Sequence, residues 1–314
     1  MLSRSRILSL LGAGAAIGMP HIVKAQSTQR VRIGTARADT YMIPYIANDF
    51  GYFARYGIET DITQFASSAP VVQAVAAGAL DVGLGDMLQI ATAVTHGVDL
   101  RFFAGGGLYS TDDPTTVLVV SKSSNIRSAK DLEGKDVGVI LLKSISHMGT
   151  LEWLRQNGAD VSKIRFFEVT FAEAEAALMR GTVSAAFVGE PFVTMGKDNL
   201  RVLGKSYDAI AKQFYINAWF STKDWLTKNP DLARRLTSAI YDAARWANGH
   251  LADTAATTAK YTKIDPAVVA VMHRSRFGTS LDPRFLQPLL DLGYRYQVID
   301  RPVKADEISM VVGK

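Results

Sequence analysis

Short apolar runs recur along this chain, separated by stretches in which apolar residues return every three or four positions. The runs predict strands at 31–35, 58–65, 80–84 and 100–104. The intervening periodicity predicts helices at 43–56 and 70–77, closed by Gly57 and Gly78, because glycine readily takes the left-handed backbone that ends a helix. Asp86 is placed to cap a further helix that runs to about Thr95, its carboxylate accepting from free backbone N–H groups. A second block repeats the order, with strands at 117–120, 137–141, 164–169 and 184–188. Its helices open at Ser146, closed by Gly158, and at Phe171, closed by Gly181. After residue 222 the pattern is nearly all helical, at 230–254, 266–273 and 283–296, with one strand-like stretch left at 215–220. Alternating strands and helices of this kind predict an α/β fold.

Two segments share one construction. Ala-Val-Ala-Ala-Gly-Ala-Leu-Asp-Val-Gly-Leu-Gly-Asp ends at Asp86, and Ala-Leu-Met-Arg-Gly-Thr-Val-Ser-Ala-Ala-Phe-Val-Gly-Glu ends at Glu190. Each is a helix, a glycine stop, a buried strand and an acid at the strand's C-terminal end. The repetition predicts two similar lobes, the alternative being two βαβ units in one sheet. Wound sheets bind ligands at the C-terminal ends of their strands, so two facing lobes put a cleft between them.

The N-terminus has another grammar. Arg4 and Arg6 precede an apolar run from Ile7 to Met19, and Val23-Lys24-Ala25 has the small residues of a cleavage site. This predicts a secretory signal at 1–25 and a periplasmic protein, exported by the general or the twin-arginine route. The apolar run is short for a bilayer span of about 20 residues. The whole chain carries 35 Lys and Arg against 30 Asp and Glu. Three of those bases lie in the leader, so the remainder is nearly balanced and offers no electrostatic case for nucleic acid. The sequence has no cysteine, which excludes disulfides, thiolate zinc sites and cysteine nucleophiles. The five histidines show no metal spacing, so neither a metal nor a cofactor is expected. Gly105-Gly106-Gly107 reads as a flexible turn before a hinge rather than a phosphate loop.

Residues 47–59, Ala-Asn-Asp-Phe-Gly-Tyr-Phe-Ala-Arg-Tyr-Gly-Ile-Glu, resemble the first helix-to-strand passage of ABC-importer binding proteins for sulfonates, taurine and nitrate. Those proteins belong to the thiamine-pyrimidine-synthesis-like superfamily. Residues 76–83, Asp-Leu-Glu-Gly-Lys-Asp-Val-Gly-Val at 131–139 and Asn229-Pro230-Asp231 match in the same order. The resemblance implies a type II periplasmic-binding-protein fold with two lobes, a central cleft and crossovers near 113–116 and 217–221. Lobe 1 would be 30–114 plus 220–314, and lobe 2 would be 115–219. It also implies a monomeric Venus flytrap that closes on a small-molecule ligand and meets an ABC permease and its ATPase.

Within that frame the segment from Lys143 to Thr150 is the leading ligand site. It joins a strand end to a helix start, where unpaired N–H groups and the dipole favour an anion. Ser144, Ser146, Thr150 and His147 add donors, the alternative being that Ser146 only caps the helix and His147 faces solvent. In lobe 1, Tyr41 and Met42 can form an apolar wall, and the turn Gly85-Asp86-Met87 ends a matching strand. Asp86 can bind a ligand amine or only cap its helix. Tyr109 and Thr111 precede the first crossover and can line the cleft. Trp219 can stack on a ligand or pack as a hinge residue. Glu190 can face a ligand amine, as an aspartate before proline does in some taurine-binding relatives, or bind neighbouring N–H groups. A pyrimidine or an aromatic acid is the alternative ligand. An enzyme of the same fold is the competing class, and the expectation is a non-enzyme: related desulfinases and yeast-type pyrimidine synthases use cysteines this chain lacks.

Overall fold

The computed structural model describes residues 28–312, so the expected signal at 1–25 lies outside the described residues. Strands β1 (Gln29–Ala36), β2 (Ile58–Phe65), β3 (Val82–Asp86) and β4 (Leu100–Gly105) build most of a first sheet. Strand β5 (Gly107–Ser110) leads out of it. Strands β6 (Thr116–Ser121), β7 (Asp136–Val139), β8 (Arg165–Glu168), β9 (Ala185–Gly189) and β10 (Leu200–Gly204) form a second sheet. The chain returns through β11 (Gln213–Tyr215) to β12 (Asn217–Thr222), and β13 (Arg276–Phe277) follows much later.

The two sheets have one topology. The first runs β2-β1-β3-β12-β4, and the second, read from its far edge, runs β8-β7-β9-β6-β10. In each, the first three strands are parallel and the fourth is antiparallel to its neighbour on that side. The segments ending at Asp86 and Glu190 therefore occupy equivalent places, the third strand of each sheet. A small sheet, β11-β5-β13, lies on the passage between the two.

Residues 217–222 are a central strand of the first sheet, paired with β3 and β4, rather than a crossover. The glycine triplet is not a loose turn. A Cβ at Gly106 would lie 2.3 Å from Asn217 Oδ1 and 2.6 Å from its carbonyl oxygen, so the glycines permit close backbone approach. Gly107 N–H donates to Asn217 Oδ1 at 2.6 Å, and Asn217 Nδ2 donates to the Thr40 carbonyl at 3.1 Å. One buried amide thus ties the passage between lobes to the loop after β1.

Two helices cover the first sheet's flanks for plain reasons of periodicity. Helix Pro230–Gly249 buries Leu232, Leu236, Ile240, Ala243 and Ala247, spaced three or four apart, under a proline at its first turn. Helix Pro283–Arg295 buries Leu286, Leu289, Leu290 and Leu292 in the same manner. The expected helix at 43–56 is two, Ile43–Asp49 and Tyr52–Arg55, because Gly51 sits at φ +72° between them.

Candidate functional site

A cavity of about 260 Å³ lies where the C-terminal ends of both sheets' strands converge. The first lobe supplies the loop after β1, from Ala36 to Tyr41, the turn Ala66-Ser67-Ser68 after β2, and Asp86 and Gln89 after β3. The second supplies Thr115 and Thr116 at the start of β6, the segment after β7 that includes Ser144 and Ser146, Phe171 after β8, and Glu190 after β9. Phe187 and Tyr207 add aromatic wall. Strand ends gather these residues because the chain must turn there, exposing side chains and helix N-termini that the sheet interior cannot offer.

In the second lobe, Ser144 is the N-cap residue of helix Ile145–Gln156, which opens one residue earlier than expected and places Ser146 inside its first turn. The Ser144 hydroxyl donates to the Leu141 carbonyl at 2.7 Å and shares a 2.8 Å hydrogen bond with the Ser146 hydroxyl. Among the described residues no side chain caps this helix start. Its first N–H groups have no intrahelical acceptor, and they stand beside the lining residues Ser144, Ile145 and Ser146. Lys143, just upstream, holds φ +61° and donates its N–H to His147 Nδ1 at 3.0 Å.

The lining also holds acids from both lobes. Asp86 is 8% exposed, lines the cavity and caps its helix, accepting from Gln89 N–H at 3.1 Å. Burial raises its carboxyl to about 6 against the ordinary 3.8, outweighing the backbone N–H groups that oppose the shift. Burial also raises the phenols of Tyr41 and Tyr207, and the Asp86 charge raises them further. Glu190 is more fully engaged. Its Oε2 accepts from Thr194 N–H at 3.0 Å, and its Oε1 accepts from the Thr194 hydroxyl at 2.9 Å and from His273 N–H at 3.3 Å. Arg37 is the one basic residue of the lining; it is exposed and donates to Gln64 Oε1 at 3.2 Å. Asp39, also in the lining, is neutralised by the buried Arg274 at 2.9 Å.

Of the residues singled out from the sequence, Tyr41, Asp86, Ser144, Ser146 and Glu190 meet at this cavity. The others lie outside its lining. Met42, Met87 and Trp219 are wholly buried in the first lobe's core, Trp219 with its ring 6.4 Å from that of Phe103. Tyr109 packs edge-on to Tyr207 and donates to Asp208 at 2.8 Å, while the carbonyl of Thr111 accepts from Lys205 at 2.7 Å. His147 turns away to lie 4.5 Å from the Phe166 ring, and burial lowers its imidazole. Thr150 is buried one turn further along the helix.

Sequence reasoning did not find Ser67, Ser68, Gln89, Thr116, Tyr207 or Ser275. The strand-end rule that picked out the loop after β1 applies equally to Ser67 and Ser68 after β2. Tyr207 and Ser275 reach the cavity only through long-range packing, for which no local pattern exists.

The taurine-binding periplasmic protein of Escherichia coli is 26% identical over 189 residues, 60% of this chain and 57% of that protein. The 4-amino-5-hydroxymethyl-2-methylpyrimidine phosphate synthase of Schizosaccharomyces pombe is 31% identical over 104 residues, 33% of this chain and 29% of that protein. The chain thus spans less than two thirds of the length of these curated relatives. Among solved structures, the periplasmic aliphatic sulphonate-binding protein SsuA of Escherichia coli superposes with a TM-score of 0.76 at 21% identity. That superposition covers 92% of this chain and 94% of that one, and it identifies the periplasmic-binding-protein fold. The family described as NMT1/THI5 like matches residues 39–251, more than half of the chain, and the chain belongs to that family.

Proposed function

We propose that this protein is the periplasmic solute-binding component of an ABC importer and that it holds a small organic acid between its lobes. The observation that carries the reading is the cavity itself. It sits at equivalent strand ends of two equivalent sheets, and both lobes contribute polar side chains to it. A molecule touching both lobes stabilises the closed form because it makes its full set of contacts only there. The relatives named above as taurine- and sulphonate-binding proteins support an acidic head group. In this chain that head fits Ser144, Ser146 and the first N–H groups of helix Ile145–Gln156, where neutral donors and the helix dipole stabilise an anion.

The acids of the lining favour a ligand that also carries an N–H donor. Asp86 faces the cavity with no ion-pair partner among the described residues, whereas both Glu190 oxygens already have donors. Asp86 is therefore the stronger partner for an amine, and a bare inorganic anion leaves it uncompensated. Binding without turnover is supported by the relatives named as taurine- and sulphonate-binding proteins. The chain has no cysteine, which leaves no thiolate nucleophile.

The test is a thermal-shift series with taurine, ethanesulfonate, nitrate and thymine, followed by chromatographic recovery of whatever binds. A ligand at a hundredfold its dissociation constant adds about 2.7 kcal/mol of stability. The expected ligand is an organic acid, recovered unchanged. Chemical conversion of the bound compound would overturn the reading.

A further inference from the structure

The family match ends at residue 251, yet the chain beyond it returns to the cleft. Residues 273–276 form a strap there, tied to both lobes. On the first lobe's side, Arg274 is buried, donates from Nε to Asp39 Oδ1 at 2.9 Å and hydrogen-bonds the Thr258 hydroxyl. The next N–H, of Ser275, donates to the other Asp39 oxygen at 2.6 Å. Toward the second lobe, His273 N–H reaches Glu190 Oε1, and the His273 ring lies 2.6 Å from Asp113 at the first crossover.

Ser275 is the residue this strap delivers to the cavity. It is 2% exposed and lines the site, and its hydroxyl oxygen has no hydrogen-bond partner among the described residues. A hydroxyl in a protein interior normally finds a partner, since leaving one unpaired opposes folding. Its own backbone N–H is held by Asp39, which fixes the Ser275 backbone beside the cavity. Gln89 Oε1 and Thr116 Oγ1 are buried and unpartnered in the same lining, one on each lobe. Three of the eight buried side-chain atoms without a partner among the described residues thus line this one cavity.

We propose that Ser275 contacts the ligand directly and that the Arg274–Asp39 pair is the device that positions it. The assignment rests on the reading of this cavity as the solute site. The strap makes the C-terminal segment part of ligand recognition, so a region outside the family match helps to set what this chain binds.

The test is Ser275→Ala, compared with wild type by calorimetric titration with taurine, ethanesulfonate, nitrate and thymine, and by ligand-free melting. The expected affinity loss for the bound probe is about five- to tenfold, the size of one hydrogen bond. The ligand-free melting temperature is expected to hold or rise, because the variant removes an unpaired hydroxyl. Arg274→Lys in the Ser275→Ala background should add less loss than it causes alone, since a positioning residue acts through the group it positions. Unchanged affinity in Ser275→Ala overturns the proposal alone. So does a loss accompanied by a lower ligand-free melting temperature, which marks a structural hydroxyl. A wild-type protein that binds none of the four probes overturns the reading beneath the proposal, and the proposal with it.

Discussion

Replacing Asp86 by Asn should make the protein more stable and a poorer receptor. The carboxyl is raised from 3.8 to about 6 by burial. The folded state therefore holds this proton more tightly than the unfolded chain does. The stability tied to that proton is full below pH 3.8 and is lost as pH rises through 6. The difference of about two pKa units corresponds to about 3 kcal/mol of destabilisation at pH 7.5. Asn resembles the protonated acid in shape and is as good a helix cap, so it keeps the hydrogen bond from Gln89 N–H. Asp86→Asn should accordingly gain about 2–3 kcal/mol at pH 7.5, or about 5 °C in melting temperature for a chain of this size. The gain should fade toward pH 4. Differential scanning calorimetry of both proteins from pH 4 to pH 8 measures it. A gain independent of pH, or a loss at pH 7.5, would refute the argument that an ionised, desolvated carboxylate is held here at a cost to stability. Affinity for an amine-bearing ligand should move the other way, which is the pattern of a residue kept for binding.

Other expectations follow from the same geometry. Ser146→Ala should weaken acidic ligands by less than about tenfold, since the helix N–H groups remain; titration calorimetry reads this. Glu190→Gln should cost about 1–3 kcal/mol of stability in urea unfolding, because it disturbs the acceptor of Thr194 and His273 N–H, and should affect amine selectivity less than Asp86→Asn. Arg274→Met leaves Asp39 buried without its cation and should cost about 3–5 kcal/mol in the same assay. Glu152, buried in helix Ile145–Gln156, accepts from Arg155, Tyr296, Gln156 and Arg295, and the Arg155 hydrogen bond leads in holding its carboxyl down to about 2. Its contribution is present above pH 4.5 and is lost as pH falls toward 2, so Glu152→Gln should melt lower at pH 7 and converge with wild type in acid.

Much of the fold was legible because it is written locally. The glycine stops at Gly57, Gly78, Gly158 and Gly181 all hold positive φ, and the paired units ending at Asp86 and Glu190 occupy matching strands. The site was legible only where it follows a strand end. Ser144, Ser146 and Asp86 could be placed by that rule. Met42 and Met87, one residue from true lining positions, point into the core because neighbouring side chains at a turn face opposite ways. Trp219 was misplaced because β12 runs antiparallel through the middle of the first sheet, a pairing set by residues far away in sequence. The strap at 273–276 carries no local sign at all. Its place depends on Arg274 finding Asp39 across more than two hundred residues.

The central claim is that one small molecule is held jointly by the two lobes. Titration calorimetry tests it most directly when run on wild type, Asp86→Asn in the first lobe and Ser146→Ala in the second, with taurine, the probe that carries both an acidic head and an amine. The account expects one molecule bound per chain and weaker binding in both variants. A probe that binds wild type, Asp86→Asn and Ser146→Ala with equal affinity would contradict it.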